Sequence, residues 1–312
     1  MLTTLTRVER DAVDRMSGRK PNLFLIGAMK SGTNYLRKLL NAHPDIFMCE
    51  PGEPSYFVAP RQLKEIWIDM WKHGFWRSEQ DYLKLFQSSG GATYLGEAST
   101  NYTKQPIVRH VAERIEKFNP DARFIYIMRD PIERTLSHYW HMVRYHSERR
   151  PILKAVRQDR QYLAVSHYAM QLTPYLTRFG QERVETLTYE SLVRDPAGVM
   201  RRLYGRLGVR SEGIDVSSFV EPENVTPEIV RLSPDGAVPR WLRQSPHLRG
   251  VLRLAPRPVQ TALRSVTDRE VSRQAVDTTE AVAFLRPIQR RQTEELALLL
   301  GRDFPEWTTL NG

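Results

Sequence analysis

A single cysteine, Cys49, in 312 residues excludes an intramolecular disulfide framework and any cysteine-based metal cluster. It is read as a small buried hydrophobe near a strand end. No apolar run approaches the ~18–20 residues of a membrane-spanning helix. The charged stretch from Met1 to Lys20 lacks the apolar core of a secretory signal, so a cytoplasmic setting is the expectation. Lysine is scarce: there are nine, none beyond Lys154, against 37 arginines. In a chain with that bias each lysine is informative. Internal repeats and low-complexity tracts are also missing. What is abundant is positive charge, a net +10, which favours an anionic partner without distinguishing a nucleotide, a nucleic acid, a glycan or a membrane surface. With 41% hydrophobic and 26% charged residues the chain can bury a large α/β core and shows no sign of wholesale disorder.

Residues 1–20 form a polar lead-in, and 21–312 are read as one domain with a core over 21–210 and a helical, loop-rich region over 211–312. Leu23-Phe24-Leu25-Ile26, ending at Gly27, has the continuous apolar character of a strand buried on both faces. Tyr35, Leu36, Leu39 and Leu40 then recur at helical spacing, and His43-Pro44 stops the helix. Further strands are expected at Ile46–Met48, Thr93–Leu95, Arg123–Met128 and Val184–Thr188. Helices are expected over 106–118, after Pro131, over 162–179 and over 285–300. Such alternation predicts a mostly parallel sheet covered by helices. Trp67, Trp71, Phe75, Trp76, Tyr82 and Phe86 are expected to pack helices onto that sheet, the alternative being that one or two line an apolar pocket. Residues 247–265, Arg-rich and interrupted by proline, read as a flap or an exposed basic helix.

The chemistry concentrates in two places. Gly27-Ala28-Met29-Lys30-Ser31-Gly32-Thr33-Asn34 lies between strand and helix, where backbone N–H groups and the helix dipole make an anion site. Lys30 adds a full charge, and Ser31, Thr33 and Asn34 add donors. The lysine precedes the second glycine, so the spacing departs from the nucleoside-triphosphate pattern G-x-x-x-x-G-K-[ST]. About 100 residues on, Arg129 follows a strand, Pro131 suits the first position of the next helix, and Ser137 lies about two helical turns further.

Gly27 to Tyr35 resembles the 5′-phosphosulfate loop of sulfotransferases that use 3′-phosphoadenosine-5′-phosphosulfate (PAPS). Arg129 to Tyr139 resembles the 3′-phosphate motif of the same family. The resemblance spans about residues 21–210, with a trace at Gly301-Arg302-Asp303. It implies a P-loop-like three-layer α/β fold, PAPS as co-substrate held by Lys30, Ser31, Gly32, Thr33, Asn34, Tyr35, Arg129 and Ser137, and Lys30 acting on the leaving oxygen. Gly52-Glu53-Pro54-Ser55-Tyr56-Phe57 resembles a Lys-Glu-Pro-His-Phe-Phe segment of bacterial and glycan-type members, which makes Glu53 the candidate general base. Gly52 and Ser55 stand where Lys and His are usual, an argument against a sulfated polysaccharide bound in the usual way. Gly96-Glu97-Ala98-Ser99 matches a second segment of that group, with Glu97 as the alternative base or a partner of Lys30.

His138, His141 and His146 share a helix at spacings that do not suit a zinc pair, so no metal is assigned, and His138 beside Ser137 is a lesser candidate near an acceptor. Many family members close over the 3′-phosphate with a late basic loop. An Arg within 231–249, such as Arg240 or Arg243, would have to serve here. The expected acceptor is a hydroxyl of a small molecule, lipid or glycan, with no nucleic acid as partner and oligomeric state open. Two rivals stand beside this reading. One is a phosphotransferase with Asp130 as a Mg²⁺ ligand. The other is a non-catalytic module binding nucleic acid or acidic glycan through its Arg-rich 231–291 region.

Overall fold

The computed structural model describes residues 19–146, 148–211, 228–232 and 269–312. Five strands, β1 (Leu23–Gly27), β2 (Ile46–Met48), β3 (Tyr94–Glu97), β4 (Arg123–Met128) and β5 (Val184–Thr188), form a parallel sheet in the order β2-β3-β1-β4-β5. Side chains alternate across a strand, and each set finds its own cover. Leu23, Leu25, Ile125 and Ile127 pack with Leu36, Leu39 and Leu40 of the helix Thr33–Asn41, and with Leu192, Leu203 and Tyr204 of the helices Tyr189–Arg194 and Pro196–Leu207. On the opposite face Phe24 stacks on Phe124, which in turn meets Tyr175 and Phe179 of the helix Tyr168–Phe179. Burial on both faces accounts for the unbroken apolar runs of β1 and β4.

The chain clusters into two compact units. The first holds described residues 19–135, 160–211 and 285–312, and with them the whole sheet. The second holds 136–146, 148–159, 228–232 and 269–284. In the second, β6 (Ile229–Leu232) and β7 (Arg269–Ser272) pair antiparallel. Its helix Ile152–Gln158 buries Ile152, Ala155 and Val156. Tyr139, Trp140, Ile152 and Ala281 help to line a recess of about 420 Å³ there. Arg240, Arg243 and the 247–265 stretch lie outside the described residues, as do most of the expected polar lead-in and most of the Arg-rich 231–291 region.

Four expected elements differ in extent, one of them the last helix, which begins at Thr279 rather than at residue 285. β3 starts at Tyr94 and runs on through Glu97, which brings Glu97 into the sheet. The helix expected from residue 106 begins at Val111, after a turn through Pro106 and Ile107. The single helix expected over 162–179 is broken into Gln161–Ala164 and Tyr168–Phe179. The break has a local cause: the Tyr162 carbonyl, which would accept the Ser166 N–H in a continuous helix, accepts from Arg134 and Thr135 instead, at 2.7 and 3.2 Å. Ser166 Oγ meanwhile donates to the Pro131 carbonyl at 3.0 Å. Of the aromatics over 60–86, Tyr82 and Phe86 are core residues, whereas Trp71 and Trp76 stack on each other at 5.3 Å and stay partly exposed.

Candidate active site

All five strands are parallel, so the loops after them leave from one edge of the sheet. β1 is central, with β3 on one side and β4 on the other. The crevice beside such a switch point is where open α/β sheets bind ligands. The Gly27–Gly32 loop occupies it. Thr103 Oγ1 donates to the Ile26 carbonyl at 2.6 Å, and Ala28 N–H donates to the Ile127 carbonyl at 2.6 Å. Gly27 is confined by that packing, because a Cβ there would stand 2.3 Å from Thr103 Oγ1. Lys30 takes a positive φ of 70° and Gly32 one of 88°. For a lysine that conformation is uncommon and is held by its surroundings, as at many ligand-gripping sites. The helix that follows has no side-chain cap and no acidic residue in its first turn, so nothing in its sequence opposes an anion at its N-terminus. The Ser31 hydroxyl is fully buried beside the Tyr168 hydroxyl, with which it interacts.

Arg129 leaves the end of β4, the neighbour of β1. Its backbone is locked from both sides by Tyr168, whose hydroxyl donates to the Arg129 carbonyl at 2.7 Å and accepts from its N–H at 3.3 Å. The guanidinium pairs with Glu133 at 3.3 Å and lies 5.3 Å from the centre of the Tyr189 ring. That ring is also what a Cβ on Gly32 would strike, at 2.6 Å. Tyr189, at the end of β5, therefore joins the two motifs that lie a hundred residues apart in sequence. Asp130 accepts from the N–H groups of Ile132, Glu133 and Leu310 at 3.0, 3.3 and 3.0 Å and is almost wholly buried. Both of its oxygens are used in capping. Ser137 is buried on the helix Pro131–His146. Tyr35 packs into the core among the leucines of its helix.

On the other flank of β1, the loop after β2 and the last residue of β3 carry the carboxylates. Glu53 accepts from the N–H and hydroxyl of Thr100 at 3.3 and 2.9 Å. Burial raises its pKa, and the nearby Lys104 ammonium is the largest influence pulling it back down. Burial depresses Lys104 in turn, and Glu53 opposes that. Both side chains lie deep in the protein yet keep some accessible surface, as groups on the floor of a recess do. Glu97 is different. It is fully buried and accepts from Tyr82, Tyr102 and Ser99 at 2.7, 2.7 and 2.8 Å. Burial pushes its pKa up to about 7 in spite of those donors. Ser99 passes the constraint on, since its hydroxyl accepts the Ser55 N–H at 2.9 Å. Ser55 holds a positive φ of 54° and its hydroxyl accepts from Asn101 at 3.0 Å. The position where His is usual is thus a sealed corner. At Gly52 the missing side chain leaves room for Arg37: a Cβ would lie 2.9 Å from Arg37 Nε, and Arg37 pairs with Glu50.

Sequence pattern gives neither Tyr189 nor Lys104 a role. The first shows only in three dimensions. The second carries a signal, because lysine is rare in this chain. Among the described residues no three His, Cys, Asp or Glu side chains group as a metal site, and no helix is long and apolar enough to cross a membrane.

Residues 21–213 match the Sulfotransferase family, and the chain belongs to it. It is 25% identical over 306 residues to the mouse heparan sulfate glucosamine 3-O-sulfotransferase 3A1, covering 94% of this chain and 66% of that relative. The mouse 3B1 relative is 25% identical over 302 residues, with 92% and 65% covered. The chain thus spans just under two thirds of the length of these relatives. A crystal structure of a sulfotransferase from Alicyclobacillus acidocaldarius is similar at a TM-score of 0.62 and 26% identity, over 93% of this chain and 99% of that one.

Proposed function

We propose that this chain transfers the sulfuryl group of PAPS to an acceptor hydroxyl. The observation that carries the reading is the joining of the Lys30 loop to Arg129 through Tyr189. An anion site at a helix N-terminus and a fixed guanidinium then stand in one crevice, as a donor with phosphates at two positions requires. The uncapped helix suits the same ligand. PAPS supplies the sulfuryl group, with a bridging oxygen that gains negative charge as the sulfur–oxygen bond breaks. Lys30 neutralises that charge where it develops, an interaction stronger in the transition state than in the ground state. Arg129 selects for the 3′-phosphate. Glu53 takes the acceptor's proton as the new sulfur–oxygen bond forms, and Lys104 favours the ionised form it needs. Glu97, enclosed by three hydroxyls, supports Glu53 by fixing Ser55 and the loop around it.

The phosphotransferase alternative needs Asp130 free to bind a cation, whereas its oxygens are occupied by three N–H groups. The names of the relatives make a glucosaminyl hydroxyl of a glycan the first acceptor class to try, with small-molecule and lipid hydroxyls beside it. The test is transfer of labelled sulfate from PAPS to glycan, lipid and small-molecule fractions, paired with calorimetry of the 3′,5′-bisphosphate product (PAP) without Mg²⁺. Transfer and metal-independent PAP binding are expected. Preference for Mg-ATP would overturn the reading.

A further inference from the structure

The last described stretch of the chain lies outside the resemblance that identifies the site, apart from the trace at Gly301–Asp303, yet it reaches the groups that hold Arg129. After the helix Thr279–Leu300 the chain turns at Gly301, and Phe304 stacks on Trp307 at 4.1 Å. Trp307, fully buried, meets Tyr168 at 5.8 Å. Thr188, at the end of β5, donates to Glu306 at 2.8 Å. Then comes the short helix Thr308–Asn311. Leu310 N–H donates to Asp130 at 3.0 Å, and the Thr309 hydroxyl donates to one oxygen of Glu133 at 3.1 Å. The other oxygen of Glu133 accepts from the Arg129 guanidinium at 3.3 Å. From behind, Arg286 donates to the Thr309 carbonyl at 3.1 Å and Arg290 to the Leu310 carbonyl at 3.0 Å. The short helix is pinned at both ends.

These contacts converge. Glu133 and Tyr168 bond to Arg129, Asp130 follows it in the chain, and the segment 304–311 touches all three. Asp130 sets where the helix Pro131–His146 begins. Glu133 sets where the guanidinium lies over Tyr189. An arginine held by one partly exposed carboxylate would sample many rotamers, and a second donor on that carboxylate reduces the choice. We infer that the segment Phe304–Asn311 is a positioning element of the donor site, in which Thr309, through Glu133, orients Arg129 toward the 3′-phosphate.

The inference rests on the donor reading above, and the experiment separates the two. The full chain is titrated with PAP and with adenosine 5′-phosphate, which lacks the 3′-phosphate, for wild type, Thr309→Val and Thr309→Ser. Wild type should prefer PAP. Thr309→Val should weaken PAP about three- to tenfold, the range for a lost hydrogen bond to a charged group felt at one remove, and leave adenosine 5′-phosphate within twofold. Thr309→Ser keeps the hydroxyl and should restore PAP binding. Equal loss of both nucleotides in Thr309→Val, or no loss, would overturn the positioning role. A wild type that does not distinguish the two nucleotides would overturn the donor reading, and this inference with it.

Discussion

The two flanks of β1 are built from different materials. Toward β4 and β5, Arg129 is held by backbone hydrogen bonds to Tyr168, by the face of Tyr189 and by Glu133. Nothing there has to change its charge. Toward β3 and β2 lie the ionisable groups Glu53, Glu97 and Lys104, whose ionisation is set chiefly by burial and by the groups around them. On the reading proposed above, the donor flank is a matter of fixed geometry and the acceptor flank a matter of titration. Lys30, on the loop between them, belongs to both. The contrast teaches that variants on the two flanks should fail in different observables: nucleotide affinity on one side, pH dependence on the other.

The largest effect is expected at the centre. Lys30→Ala should lower kcat by about 10²–10³ or more, the scale of one lost transition-state charge contact, with the melting temperature little changed. Wild-type-like turnover in that variant would break the comparison outright. Glu53→Gln should follow at about 10²-fold or more in kcat/KM, the usual share of a general base, while PAP affinity stays put. Its pH signature is specific. To serve as the base proposed above Glu53 must be ionised, and burial raises its pKa from 4.5, so the rate should fall on acidification through a midpoint above 4.5. Lys104→Met, by removing the opposing cation, should move that midpoint higher still. A midpoint that stays in place in Lys104→Met would show that the two groups do not act together.

Gly32→Ala places a methyl against Tyr189 at a positive φ. It should cost about 1–3 kcal/mol of local strain, read as weaker PAP binding, without altering the pH profile. The smallest effect on turnover is expected from Glu97→Gln, less than tenfold, with its main consequence in stability. Folding raises the Glu97 pKa from 4.5 to about 7. The proton-linked contribution, roughly 3 kcal/mol at most, is therefore complete below about pH 4.5 and lost as pH rises through about 7. Thermal melts at pH 5 and pH 8 should differ less in Glu97→Gln than in wild type. An unchanged difference would mean that Glu97 is not the group being titrated.

Much of the donor flank is legible in the amino-acid order alone. β1 and β4 announce themselves because strands covered on both faces carry no polar interruption, and the Lys30 loop follows directly from where β1 stops. Glu53 is legible only through resemblance, since a Glu-Pro pair in a loop has no physical signature of its own. Tyr189 is not legible, because its role depends on contacts with Gly32 and Arg129, residues 157 and 60 positions away. The broken helix over 162–179 is hidden for a similar reason: a buried Arg134, far earlier in the chain, takes the carbonyl that helical periodicity assumes is free. The difference between Glu53 and Glu97 is equally beyond reach. Both are loop-adjacent carboxylates in sequence, and only the three hydroxyls around one of them tell them apart.

The Tyr189 ring has a consequence for how the crevice comes apart. With one face under a guanidinium and its edge against a glycine that can yield no space, the ring cannot tilt to release one neighbour without disturbing the other. The two halves of the donor crevice are therefore expected to be lost together, in a single cooperative step, as the protein is warmed or as β5 loosens. A population that grips the nucleotide by one end alone should be rare, and bound nucleotide should delay that step as one event.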